Sequence, residues 1–275
     1  MKHHFLGNSG LRIGEIGIGT LTWGRDTDIE DAGAILNSLL DAGGNLIDLS
    51  PIYGEGNAPS TLGELLRKNY SRNEFVICAH AGWLFDGERY ISDSGRSSII
   101  TTVERQLTAL DTDYIDLLMI DEIPLAQGDS LIPLSETLAA VNYLAAQGKI
   151  RYYAFSGYQV WKAAIAWQLM RDTHQTLPIA FGEPYSLLNH DIEQTHSAFC
   201  GYSGLGIIGF APLAGGVLTG KYRNTIPPTS RAATSHLAHT VEDYLEDRPR
   251  QITQAVVKLP TDSAALPQML RWRGF

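Results

Sequence analysis

Short apolar runs alternate along the chain with longer stretches in which apolar residues recur every three or four positions. The short runs lie at 16–20, 46–48, 75–80, 115–120, 152–156, 179–183 and 206–210. The longer stretches lie at about 29–42, 60–70, 94–110, 134–147, 160–175 and 192–202. The first pattern predicts buried strands and the second predicts helices. Their regular alternation predicts right-handed crossovers and a parallel sheet covered by helices.

Local signals at the start of the chain agree with this assignment. Apolar residues on both sides of Asn8-Ser9-Gly10 predict a β-hairpin over residues 5–13. The first helix has Asp28 at the position of an N-cap, and Gly43 ends it. The sequence contains no repeat of fixed period and no low-complexity linker, so we predict a single domain over residues 1–275.

The composition excludes several classes of function. The chain of 275 residues is 44% hydrophobic and has a formal net charge of −9. It can therefore bury a large core, and it does not suit nucleic acid or an anionic membrane surface as a partner. Two cysteines, Cys78 and Cys200, make no disulfide framework. We expect neither a signal peptide nor a membrane helix, and we predict a cytoplasmic protein with a small-molecule ligand.

The strand over 46–48 leads directly into reactive side chains. Asp48 ends this strand and Tyr53 follows five residues later, while Pro51, Gly54 and Gly56 predict a turn there. The carboxyl ends of parallel strands are where barrel enzymes carry their catalytic residues. On spacing alone, however, the same stretch also fits a strand and turn of any α/β protein.

The residues around this turn carry a more specific signal. Asp48-x-x-x-x-Tyr53-Gly54-x-Gly56, followed by Leu62-Gly63-Glu64-Leu65-Leu66, resembles the aldo-keto reductase superfamily. The resemblance extends over nearly the whole chain and implies an α/β fold, a (β/α)8 TIM-type barrel with an N-terminal β-hairpin plug. It also implies nicotinamide-linked reduction of a small carbonyl substrate. In that reaction a Tyr donates the proton, supported by an Asp, a Lys and a His.

Two of the four catalytic positions of that family differ in this chain. His80 stands where the family pattern has Lys, and Asp121 stands where it has His. The resemblance therefore assigns the catalytic positions to Asp48, Tyr53, His80 and Asp121. Loss of one positioned proton-transfer group typically costs about 10²–10⁴ in rate. We expect an oxidoreductase of weak or altered activity.

The cofactor positions of the family are partly kept. Ser156-Gly157 and Gly182 stand where the family has a Ser-Asn pair and a Gln that hold the nicotinamide carboxamide. Residues 210–222 match the loop in which an aromatic ring stacks on the nicotinamide and a glycine-rich turn receives the pyrophosphate. The resemblance implies NADP or NAD, without deciding between them, bound by Ser156, Gly157, Gly182, Phe210, Pro212, Leu213, Gly215, Gly216 and Lys221. Trp23 and Trp83 fall where the family lines its substrate pocket.

Other functions remain open at this point. Asp48, His80, Asp121 and Glu183, with Glu122 adjacent, could bind a divalent metal or perform acid/base chemistry. The simpler interpretation, which we adopt, is an ion pair between Asp48 and His80, with the other acids solvated in an open barrel mouth and no metal. The protein could also be a non-redox member of the family. It would then be a pseudoenzyme that binds a partner or small ligand, or a lyase or isomerase that uses Tyr53, His80 and Asp121.

The end of the chain departs from the barrel pattern. After the seventh strand only one helical stretch follows, over 241–272. We therefore predict that the eighth strand and its helix are missing or altered; the alternative is that the tail hides a strand. A sheet of seven strands has two unpaired edges, and a homodimer is one way to cover them.

Overall fold

The computed structural model describes residues 1–85, 90–122 and 132–257. The strands in these ranges are β1 (His3–Phe5), β2 (Arg12–Gly14), β3 (Gly17–Gly19), β4 (Leu46–Leu49), β5 (Val76–Ala81), β6 (Trp83–Phe85), β7 (Tyr90–Ser92), β8 (Ile115–Asp121), β9 (Ile150–Ser156), β10 (Ala180–Pro184) and β11 (Gly206–Phe210). The helices are α1 (Ile29–Asp41), α2 (Ala58–Asn69), α3 (Arg96–Leu110), α4 (Leu134–Ala146), α5 (Val160–Asp172), α6 (Asp191–Thr195), α7 (Ser197–Ser203) and α8 (Asp247–Val257).

Seven strands form one sheet in the order β11-β10-β9-β8-β5-β4-β3. Strands β3 to β4, β4 to β5, β5 to β8 and β8 to β9 pair in parallel. A helix lies between consecutive strands of this sheet along the chain, as a parallel pairing requires. The predicted α/β fold of the (β/α)8 type is therefore confirmed. Within the described ranges the sheet has these seven strands, and the predicted helical end around Trp272 lies outside them.

The N-terminal hairpin is confirmed as well. Strands β1 and β2 pair antiparallel, with His4 opposite Ile13. In the turn that joins them, the backbone N–H of Asn8 donates to the carbonyl of Gly204 at 2.7 Å. Gly204 lies just before β11, so the hairpin turn packs at the amino-terminal end of this strand.

Residues at both ends of helix α1 determine where it begins and ends. The side chain of Asp28 accepts a hydrogen bond from the backbone N–H of Asp31 at 2.8 Å, an N-cap worth about 1 kcal/mol. Leu36 and Leu39 are buried, as their spacing predicts. After the helix Gly43 has a φ of 74°, a conformation that glycine adopts without strain.

Several stretches differ from the predicted pattern. Strands β6 and β7 form an antiparallel hairpin that the sequence does not predict, because three-residue strands are too short to show an alternation. The helix predicted over 192–202 is divided into α6 and α7 at His196. The helix predicted from 241 begins as a 3₁₀ turn, Glu242–Leu245, before α8.

The chain divides into two compact units. The first contains Met1–Phe181 and Ser203–Gly206, and the second contains Gly182–Tyr202 and the chain from Ile207 onward. Fully buried side chains of the first unit include Ile47, Ile77, Leu118, Tyr153 and Phe155. The second unit has a small core of Ala214, Val217, Leu218, Tyr222 and Val241. The single domain stays a prediction.

A search of the helices for membrane spans gives a negative result. Within the described ranges, no helix combines the length and the apolar character needed to cross a bilayer.

Candidate active site

Four predicted catalytic side chains lie at the carboxyl ends of adjacent strands in the first unit. Asp48 lies on β4, His80 on β5 and Asp121 at the end of β8, while Tyr53 begins a 3₁₀ turn shortly after β4. We call these four residues the His80 cluster. The parallel register explains their proximity, because β4 is the neighbour of β5 and β5 is the neighbour of β8.

The imidazole of His80 lies between two carboxylates. Its Nδ1 is 2.8 and 2.9 Å from the two oxygens of Asp121, and its Nε2 is 2.8 Å from Oδ1 of Asp48. The hydroxyl of Tyr53 donates to Oδ2 of the same Asp48 at 3.2 Å. His80 is 9% exposed and Asp121 is 5% exposed. The cluster is therefore a continuous hydrogen-bonded chain, from a phenol through a carboxylate and an imidazole to a second carboxylate.

This arrangement changes the proton affinity of two members. Burial on its own lowers the pKa of His80, but the carboxylates of Asp121 and Asp48 outweigh burial and hold the pKa well above its usual value. Burial, and then the carboxylate of Asp48, raise the pKa of the Tyr53 phenol far above its usual value, and His80 lowers it only in part. The imidazole is thus held as a cation, and the phenol is a weaker acid than a free tyrosine.

A glycine fixes the turn that carries Tyr53. Gly54 has a φ of 58°, and a Cβ placed on it would lie 1.9 Å from the carbonyl oxygen of Trp23. No larger residue fits without moving the backbone. Trp23 itself is 1% exposed, so its ring packs inside the first unit, and Trp83 on β6 is partly buried. The role of both rings in a substrate pocket stays a prediction.

The sequence did not single out Cys78 as a member of this site. Cys78 precedes His80 by two residues on β5, so both side chains point to the same face. The register also places Cys78 directly beside Asp48 on β4. Burial raises the pKa of the Cys78 thiol to about 11, although a hydrogen bond to His80 opposes this. The two-residue spacing is the signal that could have identified Cys78.

The residues at the end of β9 provide few side-chain groups that could hydrogen-bond to a nicotinamide carboxamide. Ser156 pairs with Asp121 in the register, and its carbonyl accepts the backbone N–H of Glu122 at 2.9 Å. Gly157 has a φ of 69°, and a Cβ there would lie 2.4 Å from the carbonyl oxygen of Glu122. The carboxylate of Glu122 forms an ion pair with Lys162. The backbone therefore favours glycine at 157, where the family pattern has an amide side chain.

In the second unit, residues 211–222 form a turn-rich segment that we call the glycine loop. Ala211, Ala214, Gly215 and Gly216 have φ values of 53°, 48°, 64° and 95°. A Cβ on Gly216 would lie 2.7 Å from Nζ of Lys221, so this ammonium group lies against the turn. Phe210 and Leu213 are 46% and 43% exposed. Left-handed residues at two alanines are strained, and such strain clusters at ligand sites.

Taken one by one, the groups predicted to bind the cofactor fit it only in part. A lysine beside a turn of positive φ is suited to an anion such as a pyrophosphate. In the glycine loop Lys221 provides this charge, while the backbone N–H groups of Ala214 and Gly216 donate to the carbonyls of Ala211 and Leu213. Gly182 on β10 and Gly157 have no side chain that could recognise the carboxamide. Glu183, considered above as a metal ligand, has its carboxylate 3.5 Å from Nε2 of His196. The cofactor roles of the named residues stay predictions.

Known proteins resemble this chain over most of its length. A "Probable voltage-gated potassium channel subunit beta" from Oryza sativa subsp. japonica is 30% identical over 253 residues, which cover 90% of this chain and 75% of the relative. A protein of the same description from Arabidopsis thaliana is 29% identical over 253 residues, with the same coverage. The "L-glyceraldehyde 3-phosphate reductase" of Escherichia coli (strain K12) is 30% identical over 238 residues, 84% of this chain and 67% of the relative.

Parallel strands joined by helices, with polar side chains at their carboxyl ends, define a barrel-type α/β enzyme scaffold. The sequence profile of the Aldo/keto reductase family matches residues 15–264. The chain belongs to the Aldo/keto reductase family. The predicted resemblance is thereby confirmed, and membership together with the reductase relative supports an oxidoreductase.

Proposed function

We propose that this protein catalyses slow, nicotinamide-nucleotide-linked reduction of a small carbonyl compound. Family membership supports the reaction class. The observation that carries the cofactor assignment is Lys221 against the left-handed run at 214–216, together with strained alanines at 211 and 214. Such strain persists where surrounding contacts impose it, and its usual use is to shape a ligand site. Phosphate oxygens are the ligands for which this loop is suited.

In this proposal each member of the His80 cluster has a defined task. The nicotinamide, when bound, supplies the hydride. Tyr53 gives its hydroxyl proton to the carbonyl oxygen, and Asp48 orients the phenol through the 3.2 Å hydrogen bond. His80 provides the positive charge beside this carboxylate. Both oxygens of Asp121 contact Nδ1 of His80, so Asp121 holds the imidazole in place.

The raised pKa of Tyr53 supports a slow reaction. General acid catalysis works best when the pKa of the acid lies near the working pH. The phenol of Tyr53 has its pKa far above the usual value because of burial and the carboxylate of Asp48. His80 shares its charge with two carboxylates and lowers this pKa only in part. Proton donation is therefore less favourable than it would be beside an unshared cation.

Titration with NADPH and with NADH, followed by fluorescence, tests the cofactor assignment. We expect saturable binding of at least one of them. Lys221→Ala is expected to weaken binding by about 10-fold or more, because a charge-assisted hydrogen bond is worth about 1.5–3 kcal/mol. Lys68→Ala, which removes an exposed lysine of α2, is the matched control. No binding of either nucleotide at millimolar concentration would rule out the redox function.

A second candidate is a non-redox binding protein. It is favoured by the altered cluster and by the relatives whose names describe a channel subunit. We propose it as the alternative if neither nucleotide binds, together with a lyase or isomerase activity of Tyr53, His80 and Asp121. A cytoplasmic location and a homodimer also stay predictions. Sedimentation of the purified protein tests the dimer.

A further inference from the structure

We propose that Asp48, Cys78 and His80 form a binding site for one divalent metal ion, with Zn²⁺ as the preferred cation and an open fourth position for an oxygen ligand. This inference does not rest on nicotinamide binding. It departs from the sequence-based expectation of no metal, because the sequence did not place Cys78 in the cluster.

The three side chains converge. One carboxylate oxygen, the thiol sulfur and one imidazole nitrogen all lie within 4.8 Å of one another. A tetrahedral Zn²⁺ has bonds of about 2.0–2.3 Å, which places its ligand atoms about 3.3–3.8 Å apart. The nitrogen Nε2 of His80 is now 2.8 Å from Asp48. Movements of about 1 Å, within the reach of side-chain rotation, therefore create the coordination geometry.

The strands keep these ligands in place. Cys78 and His80 lie on the same face of β5, and Asp48 is the register partner of Cys78 on the adjacent β4. Cys78 is 1% exposed and His80 is 9% exposed. Ligands on strands are positioned more firmly than ligands on loops. The backbone thus holds the donor atoms close together before any ion arrives.

Asp121 is not a ligand of the proposed ion, but it orients the ring of His80, which is one. Metal-binding histidines usually donate their second ring N–H to a carboxylate, which fixes the ring and increases its basicity. Asp121 makes this contact, since both its oxygens lie 2.8–2.9 Å from Nδ1 of His80. The other nitrogen, Nε2, then faces Asp48, and a metal ion that displaces the proton from Nε2 binds there. A simple ion pair between Asp48 and His80 does not require this second carboxylate.

The chemistry of the donors selects the ion. One thiolate, one imidazole and one carboxylate suit Zn²⁺ and disfavour Mg²⁺ and Ca²⁺, which prefer oxygen ligands only. Three protein ligands leave a fourth position of the kind found in catalytic zinc sites. The side chain of Asp48 is 27% exposed, so water or the oxygen of a carbonyl compound can reach this position from solvent.

Cobalt substitution tests this site directly. The protein is dialysed against a chelator and then titrated with Zn²⁺ or Co²⁺ alone, by calorimetry and absorbance. We expect one ion per chain, and a sulfur-to-cobalt charge-transfer band in the wild type. Cys78→Ser should abolish this band, while Cys200→Ser, which changes the other buried cysteine, should keep it. Asp121→Asn should weaken binding about 10- to 100-fold and keep the band.

Two results would overturn the proposal. One is the absence of saturable binding of either ion by the wild type. The other is a charge-transfer band that survives in Cys78→Ser, provided that the variant has the thermal unfolding curve of the wild type. If Cys78→Ser does not fold, Cys78→Ala under the same conditions replaces it. The titration contains neither nucleotide nor carbonyl compound, so its outcome is independent of the redox assignment.

Discussion

The His80 cluster of the first unit and the glycine loop of the second unit differ in the atoms that carry their proposed functions, side chain in the cluster and backbone in the loop. In the cluster the chemistry lies in side-chain atoms, and His80 and Asp121 replace the Lys and His of the family pattern. In the loop it lies in backbone conformation, with positive φ at Ala214, Gly215 and Gly216. A single side-chain substitution can change the chemistry of the cluster and leave the backbone conformation of the loop unchanged. Resemblance in the loop therefore indicates ligand binding better than it indicates the reaction.

The largest effect on the free energy of unfolding is expected when the cation of the His80 cluster is removed. His80→Gln leaves Asp48 and Asp121 without their shared positive charge. Breaking a buried ion pair by removing one partner costs about 3–5 kcal/mol of the free energy of unfolding. We expect the lower part of this range, because the side chain of Asp48 is 27% exposed. Urea denaturation of chelator-treated protein measures the change.

The matched control for this variant is His190→Gln, which changes an exposed histidine. Its free energy of unfolding should stay close to that of the wild type. If both variants unfold at the same urea concentration, His80 does not hold the cluster together.

A substitution in the glycine loop is expected to lower the free energy of unfolding by a smaller amount. Gly215→Ala puts a Cβ 2.2 Å from Cγ1 of Val241 at a residue with a φ of 64°. Left-handed strain costs about 1–3 kcal/mol, and the contact adds to it. We expect a lower melting temperature and weaker nucleotide binding. Gly201→Ala in α7 is the control, since a Cβ there meets nothing within 4 Å. Equal stability of the two variants would show that the loop conformation is not constrained.

The pH dependence of stability distinguishes the His80 cluster from the glycine loop, which contains no histidine. The folded-state pKa of His80 lies well above its usual value, which is about 6.5. The stability that this cation contributes is therefore fully present below about pH 6.5. It is lost as the pH rises through the folded-state pKa. The difference in free energy of unfolding between wild type and His80→Gln should decrease in that direction. A difference that increases with pH would contradict the charged imidazole.

The smallest effect on stability is expected from a substitution on the surface of the first unit. Lys68 and Glu64 form an ion pair on α2, with side chains 65% and 43% exposed. Exposed pairs contribute little, because water and salt screen them. Glu64→Gln should leave the urea midpoint unchanged. A clear loss of stability would mean that surface charges matter here as much as the buried cluster.

The sequence predicted most strands and helices of the fold, because each strand in the large sheet is an apolar run and each helix has an apolar face. It also predicted that Asp48 and His80 would meet, since consecutive parallel strands are neighbours. It did not predict the contact of both Asp121 oxygens with His80, which depends on ring orientation. The position of Cys78 beside Asp48 depends on the register between β4 and β5. The β6–β7 hairpin consists of strands of only three residues. Three-residue strands leave no clear periodic signal. The two-residue spacing of Cys78 and His80 indicates a shared face of β5, but it does not indicate the register that places Cys78 beside Asp48.

The rate of hydride transfer in a restored cluster tests the central claim, that two substitutions rather than the fold limit this protein as a reductase. Wild type, His190→Lys and the double variant His80→Lys with Asp121→His are mixed with NADPH and a small aldehyde, and the first turnover is followed by absorbance. We expect the double variant to be about 10²-fold faster than the wild type or more, and His190→Lys to have the rate of the wild type. A double variant no faster than the wild type would contradict it.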